Sequence, residues 1–147
     1  MKDPQAIALA CADVLWANDH ASQKLGIEIK SISPGGAELT MTVANDMTNG
    51  HGTCHGGFLF SLADSAFAFS CNTYDQCCVA QHCTISYLAP AHTGDKLHAV
   101  AHEVSRKGRN GIYDIRISNQ KHETIVEFRG YSRTIPGSLL SQDKPSE

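Results

Sequence analysis

The feature that most constrains this chain is the run His55-Gly56-Gly57-Phe58-Leu59-Phe60-Ser61-Leu62-Ala63-Asp64-Ser65-Ala66-Phe67-Ala68-Phe69-Ser70-Cys71. It is apolar nearly all round, and a helix of that kind is buried in a core rather than laid on a surface. What surrounds it reads as strand. Ile27 to Ser33 and Ala37 to Val43 alternate apolar and polar residues across the turn Pro34-Gly35-Gly36, a hairpin pattern. After the run come Val79 to Leu88, Asp95 to Arg106 (through Leu97, Ala99, Ala101 and Val104), Gly111 to Ser118 and Glu123 to Thr134. Gly94-Asp95, Gly108-Arg109-Asn110-Gly111 and Asn119-Gln120-Lys121 mark the turns between them. At the other end, Pro4 to Leu25 reads as one helix, with Pro4 in its first turn, Ile7, Cys11, Val14 and Leu15 at helical spacing, and Gly26 as its stop. The order is helix, two strands, apolar helix, four strands. The economical way to bury the apolar helix is an α+β fold: a curved antiparallel β-sheet wrapped around one long helix, plus the N-terminal helix. The sheet edges such a fold leaves predict an oligomer.

At 147 residues the chain is expected to form a single domain over 1–135, with 136–147 as a frayed tail. The net charge of −3 and pI near 6.2 argue against a nucleic-acid partner. No apolar run is long enough to span a bilayer, so no membrane partner is expected. Met1-Lys2-Asp3-Pro4-Gln5 lacks the basic-then-apolar order of a secretory signal, which predicts a cytoplasmic location. There the six cysteines are expected to remain thiols. Cys77-Cys78 is adjacent rather than spaced as a zinc pair, so no metal is implied.

Asp64 breaks the apolar helix. A carboxylate in a core costs several kcal/mol unless it is paired. Either Asp64 is a core acid satisfied by a polar stripe with Ser61 and Ser65, or it has a chemical task. At the helix start, Gly56 and Gly57 let a ligand approach backbone N–H groups that attract an oxygen carrying negative charge. These are the requirements of an oxyanion hole, although two glycines also serve a tight turn. Eight residues separate Gly56 from Asp64, roughly 12 Å along a helix axis. A reacting carbon needs both groups about 3 Å away. If both act on one carbonyl, they come from different copies of the chain, paired through antiparallel helices.

The stretch from Asn49 to Asp64, NGHGTCHGGFLFSLAD, resembles the signature of hotdog-fold thioesterases, and most closely the phenylacetic-acid-degradation (PaaI) branch. The similarity runs from about Leu25 to Thr134 and takes in Thr84-Ile85-Ser86-Tyr87-Leu88-Ala89-Pro90 and the Arg106-Lys107-Gly108-Arg109 turn. The resemblance implies an acyl-CoA thioesterase without a cofactor, hydrolysing an aryl-acyl-CoA such as phenylacetyl-CoA or hydroxyphenylacetyl-CoA. It implies a homodimer or homotetramer with sites at the subunit interface. By the same resemblance Asp64 is the nucleophile or general base, and the Gly56 N–H polarises the carbonyl. His55 orients that carbonyl or the loop, and Asn49 positions water or substrate. Arg106, Lys107 and Gly108 contact the CoA phosphates, for which basic anchors suit. Some relatives place a serine at the start of the next strand; here that position falls on Ala80, leaving Asp64 with fewer helpers. The same fold also serves acyl-CoA hydratases or dehydratases and non-catalytic acyl-CoA binders. The acid following the histidine on one helix is the thioesterase arrangement. The remaining histidines, His51 and His82 among them, are expected to be ordinary surface groups, and Phe58, Phe60, Phe67 and Phe69 to be mostly core.

Overall fold

A computed structural model describes residues 3–141. Its elements are α1 (Pro4–Ala17), α2 (His20–Lys24), β1 (Glu28–Ser33), β2 (Gly36–Thr42), α3 (Gly56–Cys71), β3 (Cys78–Tyr87), β4 (Lys96–Lys107), β5 (Asn110–Ser118) and β6 (Thr124–Thr134). The strands form one antiparallel sheet in the order β1-β2-β4-β5-β6-β3. α3 packs against every strand, so the sheet wraps the apolar helix as expected. Leu62, Ala63, Ala66, Phe67 and Phe69 are buried on it, against Leu39, Met41, Leu97, Ile115, Ile117 and Phe128 from the sheet.

Three local departures from the sequence pattern have physical causes. The predicted N-terminal helix is two helices. Asp19 interrupts it because its carboxylate accepts from Ser22 N (3.0 Å), an N-cap that starts α2 afresh. The face of α1 that is buried is Ala8, Cys11 and Ala12, while Val14 is exposed. In β1 a bulge between Ile29 and Ser31 brings Ile27 and Ile32 to the same face although their spacing is odd. In β4 Val104 stands three residues from Ala101, hence on the opposite face of the strand, and is exposed although the sequence pattern groups it with the apolar series Leu97, Ala99 and Ala101.

The chain beyond β6 does not leave the body at Pro136. Ser138 Oγ and Leu140 N both donate to Asp75 Oδ1 (2.7 and 2.9 Å), and Cys77 N donates to the Gly137 carbonyl. Residues 142–147 of the expected tail lie outside the described residues.

Gly130 shows how tightly α3 is held. A Cβ there would stand 2.7 Å from the ring of Phe67, which is itself buried. Gly130→Ala is therefore expected to cost about 1–3 kcal/mol by overpacking, read as a lower denaturation midpoint with an unchanged m-value.

Candidate active site

The first turn of α3 is set by the loop before it. Cys54 N donates to Ala91 O and His55 N to Met47 O, both at 2.7 Å, and Thr48 bridges to Cys54. Asn49 closes the intervening turn. Its Oδ1 accepts from His51 N (2.9 Å), Thr53 N (3.3 Å) and Thr53 Oγ1 (3.3 Å), while its own N–H donates to Thr53 O. Its carbonyl oxygen is thus committed to the loop, which leaves the amide NH₂ as the part able to meet a ligand.

An α-helix begins with four N–H groups that lack intrahelical partners. In α3 these belong to His55, whose N–H is taken by the Met47 carbonyl, and to Gly56, Gly57 and Phe58. His55 is the N-cap, and its Nδ1 accepts from Gly57 N at 2.9 Å. Phe58 N and Leu59 N both reach the His55 carbonyl, at 3.0 and 3.5 Å. Gly56 N–H alone has no protein acceptor among the described residues. The resemblance linked His55 to the carbonyl or the loop; its observed bond is to the helix start, where Nδ1 is the acceptor.

Gly56 lies under Tyr87. The Tyr87 hydroxyl donates to the Gly56 carbonyl (3.1 Å), and a Cβ on Gly56 would stand 3.1 Å from that ring. Tyr87 itself is 51% exposed. Together with Asn49, Thr53, Leu59 and Pro90 these residues line an open cavity of about 440 Å³. Tyr87 sits within the quoted sequence motif, but nothing in a single sequence pairs it with Gly56 thirty-one residues away.

Asp64 does not line that cavity. It lies two turns further along α3, half-buried, on a helix stripe with the exposed Gly57 and the half-buried Ser61 and Ala68. Ser61 does not satisfy it, since its Oγ donates to Gly57 O (2.9 Å). Among the described residues no cation pairs with Asp64 and no donor bonds it. Burial, and then the negative charge of Asp19, push its pKa above the ordinary carboxylate value. An unpaired acid of raised basicity is suited to act as base or nucleophile.

The expected CoA contacts stand elsewhere. Arg106, Lys107 and Gly108 are exposed at the β4–β5 turn, with Gly108 at φ +61°. The Arg106 guanidinium lies 3.7 Å over the Tyr74 ring, just past the C-terminal end of α3. One protomer therefore separates the predicted residues: Asn49, His55 and Gly56 at one end of α3, Arg106 to Gly108 beyond the other, and Asp64 between. Ala80, where some relatives carry serine, is exposed on β3. Of the four helix phenylalanines, Phe67 and Phe69 are core while Phe58 and Phe60 are half-buried.

The profile of the thioesterase superfamily matches residues 51–126, the stretch from the glycine-rich loop to the start of β6. The chain belongs to that superfamily. It is 45% identical over 131 residues to the acyl-coenzyme A thioesterase PaaI of Escherichia coli, covering 89% of this chain and 94% of that one. The solved structure of the Escherichia coli PaaI protein matches with a TM-score of 0.91 at 44% identity, over 92% of this chain and 99% of the other. A variant of the phenylacetic acid degradation protein PaaI of Thermus thermophilus matches at 0.77 and 33% identity, over 80% of this chain and all of that one. The wrapped sheet is thus the hotdog fold, and this thioesterase belongs to the PaaI branch. Family membership makes thioester hydrolysis its reaction.

Proposed function

We propose that this thioesterase hydrolyses aryl-acyl-CoA, of the phenylacetyl or hydroxyphenylacetyl type, to the free acid and CoA. The observation that carries the reading is the state of two groups on α3: a Gly56 N–H with no protein acceptor and an Asp64 carboxylate with no partner. The first suits a carbonyl oxygen gaining negative charge, and the second an attack on the carbonyl carbon or on a water beside it. The acyl class rests on the names of the similar proteins, which concern phenylacetic acid degradation.

The two groups are too far apart to serve one carbonyl from one chain. A second copy running antiparallel would bring its Asp64 to the open helix start of the first. Two surfaces suit such pairing. The stripe of Gly57, Ser61 and Ala68 beside Asp64 is small enough for close helix approach. β3 is a ten-residue edge strand, paired only with β6, with Val79 and Tyr87 exposed along it and Leu88 just beyond. The antiparallel arrangement also carries the partner's β4–β5 turn, with its Arg106, Lys107 and Gly108, toward the Gly56 end, where CoA phosphates would need cations. A cytoplasmic location suits the cysteines, all six of which are free thiols.

Release of free thiol from a panel of acyl-CoAs tests the reading. Aryl-acetyl-CoAs are expected to give the highest kcat/KM. A change in the acyl chain without thiol release would indicate a hydratase, and binding without either would indicate a carrier.

A further inference from the structure

A second carboxylate, Asp19 of the N-terminal arm, is hydrogen-bonded through Ser22 to the turn of α3 that carries Asp64, and that arm lies outside the residues matched by the superfamily profile. Asp19 caps α2 through Oδ1 and accepts from Ser22 Oγ through Oδ2 at 2.7 Å. Ser22 is 2% exposed, and its Oγ lies 2.8 Å from Ser65 Oγ on α3. With its proton given to Asp19, Ser22 accepts from Ser65, so an unbroken chain runs Ser65, Ser22, Asp19. Ser65 is the residue after Asp64. Capping a five-residue helix needs only the bond to Ser22 N; it does not need a buried serine linking that carboxylate to the turn that carries Asp64.

We propose that Asp19 is a positioning residue for the thioesterase reaction: hydrogen-bonded through the buried Ser22 to Ser65, it ties a second carboxylate to the turn of α3 that presents Asp64. The inference rests on the reading of Asp64 given above. The other titratable groups that face Asp64 from the sheet and from α3 are uncharged. Cys83 from β3 and Cys71 from α3 itself are both pushed up by burial and stay neutral near neutral pH. Tyr113, which the inner sheet face turns toward α3, donates to Glu103. His20 and Lys24 on α2 are exposed and make no bond to Asp64. Asp19 is the charge that acts on it, in the direction already noted.

Asp19→Asn separates the charge from the cap. Asn caps as well as Asp, and its amide can donate to Ser22 Oγ, which then donates to Ser65. The variant is expected to move the acidic limb of the kcat/KM profile to lower pH, because Asp64 then ionises more easily, and to lower kcat on the plateau while KM changes little. Titration of the Asp64 carboxyl carbon by NMR in the intact oligomer reads the same shift without turnover. If wild type released no thiol, the functional reading would fail while the titration still tested Asp19. A folded Asp19→Asn chain whose Asp64 titrates as in wild type overturns the proposal. Should that variant not fold, Asp19→Ser, a second uncharged cap, carries the same test and the same overturning result.

Discussion

Asp64→Asn is expected to lower kcat by about 10²–10⁴-fold, the usual contribution of a positioned base, and at the same time to make the protein more stable. Both effects come from the same property. Asp64 is half-buried, unpaired and raised in pKa by burial and by Asp19, so the folded chain holds its proton more tightly than the unfolded chain does. The stability tied to that proton is fully present below the ordinary carboxylate pKa. It is lost as pH rises from there through the raised folded-state value. At neutral pH the wild-type fold therefore carries an uncompensated charge that the Asn variant lacks. Thermal unfolding of the two proteins should differ at neutral pH, with Asn higher, and converge in acid where Asp64 is protonated in both states. A stabilised but inactive variant marks a group kept for chemistry rather than for folding. Equal melting temperatures at neutral pH together with full turnover would show Asp64 to be a satisfied core acid, the alternative its neighbours Ser61 and Ser65 left open.

Those neighbours show where the sequence was readable. The apolar run fixed α3 because no other placement hides so many aromatic and aliphatic side chains, and alternation located all six strands. What alternation misses is the place where the chain gains a residue: the bulge in β1 rescues Ile32 for the core. The break before α2 was hidden because Asp19 acts through hydrogen bonds from Ser22 alone, which leave the apolar spacing of Pro4 to Leu25 almost undisturbed. At the site, residue types pointed to Asp64 and Gly56 and the family resemblance to His55 and Asn49, but their tasks depend on which atoms are already taken. His55 Nδ1 and Asn49 Oδ1 are both occupied in shaping the loop, a fact of geometry with no trace in spacing. Tyr87 over Gly56 and Ser65 against Ser22 are pairings across 31 and 43 residues, and one sequence cannot register them.

Mixing two inactive variants is expected to restore activity. Gly56→Pro deletes the one first-turn N–H that lacks an acceptor, and the backbone can accept the change. Gly56 is the first helical residue, where proline is favoured, and His55 at φ −60°, ψ 133° already has the extended conformation required before proline. Tyr87 must yield by a few tenths of an ångström, which an exposed side chain can do. Loss of such a donor is expected to lower kcat by about 10²–10³-fold. Asp64→Asn chains keep the donor and lack the acid. If each site takes its donor from one copy and its acid from another, a mixed dimer holds one site with both defects and one with neither. After full exchange of equal amounts, half the dimers are mixed and half their sites work, so activity should recover to about a quarter of wild type. If a single chain supplied both groups, every site in every dimer would remain defective and no recovery would follow. The eight-residue spacing on α3 excludes that single-chain arrangement on distance alone, and subunit exchange confirmed by mass makes the result decisive either way.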